Sequence, residues 1–295
     1  MINVLKHRSV LLFVNAFFIT VIASTTTFAN TRHQTQKDTM ATGNYAEVNG
    51  IKMYYEIQGE GKPLVLIHGG GSNIQTTFGS VLPQFAKHYK VIAVDLQAHG
   101  RTSDRNTPES FEQDADDVAA LLKQLGIAKA YFFGFSNGGS SALQIAIRHA
   151  EIVDKIVAAS SAYRRDAFMP GFFEGLQKAT LSDMPKPFQD AFLKLNPDTN
   201  ALLTMFNKDR LRMVNFKDWD ESLLQQIKVP VLIMNSDKDV VLPAHALKMA
   251  SIIPHAELII LPGTHGAFIN EGGAAPAGSN LPEITVKLVQ SFLDK

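Results

Sequence analysis

Phe133-Gly134-Phe135-Ser136-Asn137-Gly138-Gly139 decides how this chain reads. Residues 130–133 before it form a short apolar run suited to a buried strand, and residues 139–149 behind it carry a helical pattern. Gly134-Phe135-Ser136-Asn137-Gly138 is therefore a G-x-S-x-G string set between a strand and a helix, the context that gives the string meaning. A turn that sharp holds the serine in a strained backbone conformation, and the positions two before and two after it must lack side chains that would collide. Ser136 is then lifted above the sheet beside the unsatisfied N–H groups of a helix N-terminus. The competing reading is a glycine-rich turn with an incidental serine.

Outward from this corner, strands and helices alternate. Residues 45–48 and 51–57 read as two strands around Asn49-Gly50, a hairpin signal. Apolar runs at 64–67, 91–94, 130–133, 156–159, 231–234 and 258–261 suit strands buried on both faces. Helical patterns lie between them at 111–125, closed by Gly126, and at 139–149 and 244–253. The order predicts an α/β protein with an eight-stranded, mostly parallel sheet flanked by helices and opened by an antiparallel hairpin. The rhythm breaks at about 161–228, which holds helical stretches at 187–195 and 200–214 and many aromatics. A structureless connection of that length is uncommon, so this segment reads as a small helical insertion over the sheet. Its aromatics either glue it to the main domain or line an apolar pocket, for which Phe135, Phe172, Phe173 and Trp219 are the candidates.

A serine hydroxyl needs a base held in the right tautomer, and the charge developing on a substrate oxygen needs donors. Of nine histidines, His265 lies in a loop just past the last predicted strand, where it can reach a serine presented by another strand. His88, His149 and His255 fall on predicted helices or their ends, where a solvated face accounts for them. Asp237 and Asp239 follow the preceding strand and offer two carboxylates to orient the base. His68-Gly69-Gly70-Gly71 follows the strand at 64–67; glycines there let backbone N–H groups approach a substrate oxygen, with Gly70 (or Gly69) and Asn137 as the donor pair. The glycine run has neither a G-x-x-x-x-G-K-[ST] nor a G-x-G-x-x-G spacing, which argues against a nucleotide loop. The chemistry needs no metal and no organic cofactor.

Composition narrows the classes. The 28 basic and 28 acidic side chains balance, against a nucleic-acid binder; 45% hydrophobic residues exclude wholesale disorder; and the absence of cysteine removes disulfide scaffolds, thiolate nucleophiles and iron–sulfur clusters. Lys6, His7 and Arg8, the apolar run 9–23 and the small residues up to Ala29 have the three-part order of a secretory signal. The expectation is a signal peptide over 1–29, a flexible leader over 30–44 and an exported, periplasmic or secreted domain over 45–295. An uncleaved membrane anchor is the alternative, but the apolar run is shorter than the ~20 residues of a spanning helix.

These residues together resemble the α/β-hydrolase superfamily, in particular its cap-bearing serine esterase and lactonase-like group. The carriers are His68 to Gly71, Asp95-Leu96-Gln97-Ala98-His99-Gly100-Arg101-Thr102, Gly134 to Gly138, Asp239 to Pro243 and Gly263 to Gly266. The family stretch D-x-x-G-x-G-x-S is kept only in part, with Ala98 in place of a glycine. The resemblance implies a Ser136–Asp239–His265 triad, Asp239 ranking above Asp237 because the family's acid commonly stands four residues before a proline. It implies hydrolysis of a carboxylic ester, a lactone or macrolactone included, through an acyl-enzyme on a small-molecule substrate. The alternatives are a C–C bond hydrolase, an amidase or a cofactor-free perhydrolase with the same triad, and, from another class, a catalytically inert ligand-binding module.

Overall fold

The computed structural model of the protein describes residues 43–295. The signal peptide expected over 1–29 and most of the leader lie outside the described residues, and Asn44, at the leader's expected end, already begins the first strand. The strands are β1 (Asn44–Val48), β2 (Ile51–Gln58), β3 (Pro63–Ile67), β4 (Lys90–Val94), β5 (Ala130–Phe135), β6 (Val153–Ala159), β7 (Val231–Lys238) and β8 (Ala256–Thr264). They form one sheet in the order β1-β2-β4-β3-β5-β6-β7-β8. β1 and β2 pair antiparallel, as do β2 and β4, and all other neighbours are parallel. The hairpin closes through Asn49 and Gly50, both at positive φ (45° and 84°), the backbone a two-residue turn demands.

Burial on both faces explains the unbroken apolar runs. Val65, Ile67, Ile92, Phe132, Ile156 and Ile233 point into one core layer, under the helices Phe111–Gln124, Asn137–Arg148 and Pro243–Ile252. Their neighbours Leu64, Leu66, Val91, Phe133, Val157 and Leu232 point into the other. That second layer is covered by the short helices Ile74–Phe78 and Leu82–Phe85 and by Leu281–Leu293, whose Val286, Val289 and Phe292 pack there. The helix Leu281–Leu293 is additional to those the sequence pattern predicts. The helix Phe111–Gln124 begins where the Ser110 hydroxyl accepts the Gln113 N–H and ends before Gly126 at φ +67°, so both ends are capped as its sequence suggests.

β3 and β5 to β8 run the same way, so the loops leaving their C-terminal ends gather on one edge of the sheet. Between β6 and β7 the chain forms the helices Phe172–Lys178, Lys186–Leu195, Thr199–Val214 and Glu221–Gln225 and no strand. This segment has a small core of its own, with Met184, Phe192, Leu202 and Met205 packed around Ala98 of the main domain. Phe133 sits at the centre of the second layer, edge-on to Phe78 and Phe85 at centroid distances of 5.4 and 5.9 Å. Phe133→Ala is expected to destabilise the domain by about 3–5 kcal/mol, read as a lowered urea midpoint; an unchanged midpoint would contradict this packing.

Candidate active site

Ser136 stands between β5 and the helix Asn137–Arg148 with φ +54° and ψ −121°, a conformation that costs a non-glycine residue about 1–3 kcal/mol. The glycines beside it are required by contact. A Cβ on Gly134 would lie 2.0 Å from the Gly138 carbonyl oxygen, and one on Gly138 would lie 2.2 Å from that of Ile67. The Ser136 N–H donates to the Ala159 carbonyl at 2.8 Å, and its own carbonyl accepts from Gly139 and Ser140 at 2.9 and 3.2 Å. The bend is thus tied on both sides.

His265, one residue past β8, brings Nε2 to 3.1 Å from Ser136 Oγ, while its Nδ1 donates to Asp239 Oδ1 at 2.7 Å. With Nδ1 carrying the proton, Nε2 is the acceptor for the serine hydroxyl. Asp239 is buried and fully engaged: Oδ2 accepts from Ser160 Oγ at 2.6 Å and Oδ1 from the Val241 N–H at 3.1 Å. Burial alone would raise its pKa, but the charge and hydrogen bond of His265, with those of Ser160 and Val241, hold it below the usual carboxylate value. Burial alone would lower the pKa of His265; the neighbouring Asp239 charge and hydrogen bond reverse this and raise it above 6.5. Asp237 is exposed and accepts from the Gly263 N–H at 2.7 Å, while the histidine is paired with Asp239.

Across from His265, the Gly69 N–H is directed at Thr77 Oγ1 at 3.4 Å and the Gly71 N–H at Asp209 Oδ2. Among the described residues no acceptor takes the N–H groups of Gly70 or Asn137, which leaves these two for a substrate oxygen. His68 shapes this loop: Nδ1 donates to the Gly69 carbonyl at 2.7 Å, Nε2 accepts the Leu96 N–H at 2.9 Å, and the ring is neutral with a pKa lowered by burial to about 3. Ala98, which stands where the family has a glycine, adopts φ +62°, so the departure from the pattern leaves the left-handed backbone in place.

A cavity of about 320 Å³ opens over Ser136 and His265, walled by apolar side chains of the 160–230 segment such as Phe168, Leu176, Met184 and Phe206. Phe135 and Phe172, expected in a pocket, line it. Phe173 and Trp219 do not. Phe173 turns away to pack edge-on against Phe168 and Phe172, under the Arg165 guanidinium 3.6 Å from its ring centre. Trp219 packs against Phe111 and Phe216 in the main core, because the chain there is returning to the sheet. Three polar groups without a sequence signal also belong here: Ser160 on the acid, and Asp209 and Glu271 on the cavity wall. Glu271 accepts from Thr77 Oγ1 at 3.0 Å, and burial raises its pKa.

The sheet order, the strained serine corner and the loops converging on it define an α/β-hydrolase type of molecule, and comparison agrees. Residues 62–184 match the family model described as alpha/beta hydrolase fold. An AB hydrolase superfamily protein of Bacillus subtilis is 29% identical over 259 residues, 75% of this chain and 91% of its own length. The dihydrolipoyllysine-residue acetyltransferase component of the acetoin cleaving system of Pseudomonas putida is 29% identical over 238 residues, 74% of this chain and 62% of that longer protein. The crystal structure of the enol-lactonase from Burkholderia xenovorans is similar in fold, with a TM-score of 0.66 at 22% identity over 85% of this chain and all of that one. Family model and solved structures thus agree with the strand order that the chain has the α/β-hydrolase fold.

The histidine geometry is open to direct measurement. In an NMR titration His265 is expected to titrate above 6.5, and Asp239→Asn is expected to bring it down, because the imidazolium loses its neighbouring charge. A His265 pKa that ignores the substitution would contradict the pairing.

Proposed function

We propose that the protein is a serine hydrolase that cleaves carboxylic esters through an acyl-enzyme. The observation that carries the reading is the continuous hydrogen-bonded relay from Ser136 Oγ through His265 to the buried Asp239. Ser136 attacks the ester carbonyl as His265 Nε2 takes its proton, and Asp239 holds the ring in the required tautomer and balances the imidazolium. The tetrahedral oxyanion is received by the N–H groups of Gly70 and Asn137. His265 then protonates the departing alcohol, and water, deprotonated by the same nitrogen, releases the acid. The apolar cavity of about 320 Å³ suits a medium-sized apolar acyl or alcohol group, in an open-chain ester or a lactone. The amino-terminal order of basic, apolar and small residues supports export as the setting for this activity.

A short-chain p-nitrophenyl ester tests the reading. Ser136→Ala is expected to lower kcat by about 10⁴-fold or more, and Asp239→Asn by roughly 10³–10⁴-fold, while Asp237→Asn stays within about threefold of wild type. Turnover that survives Ser136→Ala would reject the mechanism. The pH profile carries a second expectation. His265 works only when neutral, so its raised pKa places the acid limb of kcat/KM above 6.5. In Asp239→Asn the residual activity should show that limb at lower pH; an acid limb unmoved by the substitution would contradict the assignment of the base.

A further inference from the structure

Asp209 belongs to the helix Thr199–Val214 of the segment over the cavity, yet its carboxylate reaches the loop that carries the oxyanion donors. Oδ2 accepts the N–H of Gly71, next to Gly70 in the chain. Oδ1 accepts from the side-chain amide of Asn137 at 3.3 Å, the residue whose backbone N–H is the other donor. The two contacts close on each other, because a Cβ placed on Gly70 would lie 2.5 Å from Asn137 Nδ2 and 3.1 Å from Asp209 Oδ2. One carboxylate therefore fixes both walls of the oxyanion hole.

Its own position is set by two cations. Arg212 Nη2 donates to Asp209 Oδ1 at 2.6 Å and to Glu109 at 2.7 Å, and its Nη1 donates to Asp114 at 2.7 Å, which joins this helix to the main domain. His99 faces Gln97 O from Nδ1 at 2.7 Å and Asp209 Oδ2 from Nε2 at 2.8 Å. Both partners are acceptors, so both ring nitrogens carry protons and the ring is an imidazolium. Burial opposes that charge, but the Asp209 carboxylate outweighs it and raises the His99 pKa to about 9. A bare carboxylate beside a developing oxyanion would oppose catalysis. With a guanidinium and an imidazolium directly on it, its field is largely cancelled and its geometry remains.

We propose that Asp209 is the positioning residue of the oxyanion hole, which is complete only while the segment over the cavity is docked on the main domain. The inference rests on the serine-hydrolase reading above. It concerns the tetrahedral state rather than the bound substrate, and this separates it from a merely structural role.

The test measures kcat and KM for a p-nitrophenyl ester in wild type, Asp209→Asn, Asn137→Ala and the double variant. Alongside these it measures the Kd of an alkyl boronic acid, which becomes tetrahedral on Ser136, and of the matching unreactive amide. Asp209→Asn is expected to lower kcat roughly 10–100-fold with KM changed by less than about threefold. Boronate affinity should fall in proportion and amide affinity should hold. The double variant should be no worse than about twofold below the poorer single variant, since both remove the same clamp. If Asp209→Asn does not fold, Asn137→Ala alone must show the same split between boronate and amide. A kcat within about threefold of wild type, equal losses for boronate and amide, or additive single losses would each overturn the proposal. Retained activity in Ser136→Ala strikes the serine reading and this inference together. A normal Ser136→Ala loss beside an unaltered Asp209→Asn strikes this inference alone.

Discussion

The backbone at Ser136 is held at φ +54° by neighbours that leave it no room to relax, and the geometry of the site is measured from that point. Gly134 and Gly138 approach so closely that the smallest side chain at either would meet a carbonyl oxygen near 2 Å. β5 lies at the middle of the sheet, paired to β3 on one side and β6 on the other, so the corner cannot shift without unzipping both. Strain of about 1–3 kcal/mol at one residue is small against the packing of two core layers around it. It is also useful, since it presents a hydroxyl above the sheet with one side toward His265 and the other toward the glycine loop.

Parallel pairing does the rest of the assembly. The residues that meet here come from positions 70, 136, 160, 239 and 265, far apart in sequence, yet each follows the C-terminal end of a neighbouring strand. No long-range pair has to be specified separately once the strand order is set. Charge is handled locally in the same way. Asp239 is buried with His265, Ser160 and Val241 as partners, and Asp209 with His99, Arg212 and two N–H donors. Buried carboxylates tolerate that environment only when fully hydrogen-bonded, and both are.

Much of the sheet was legible because strands buried on two faces leave continuous apolar runs; all six runs became strands, as did the two segments around the Asn49-Gly50 turn. The helix Leu281–Leu293 was not, since Pro282 and the preceding Gly, Ala, Pro and Ser residues read as loop although Pro is welcome in a first helical turn. At the site, Ser136 and His265 could be singled out by their places after strands, while Asp239 was separated from Asp237 only by the family's spacing before a proline; the structure brings the three together. Phe172 and Phe173 show where pattern fails: adjacent helical residues point about 100° apart, so one lines the cavity and the other lies beneath Arg165. Asp209 sits among Lys208, Arg210 and Arg212, charged neighbours that give no local sign of burial. Only tertiary contact shows that it is buried against the glycine loop.

The central claim is that the hydroxyl at the strained corner is the nucleophile, and covalent labelling measures that directly. Protein treated with a fluorophosphonate and mapped by mass spectrometry is predicted to carry a single adduct on the peptide containing Ser136, with none after His265→Ala at the same exposure. An adduct on another residue, or no adduct on the active wild-type protein, would contradict the account.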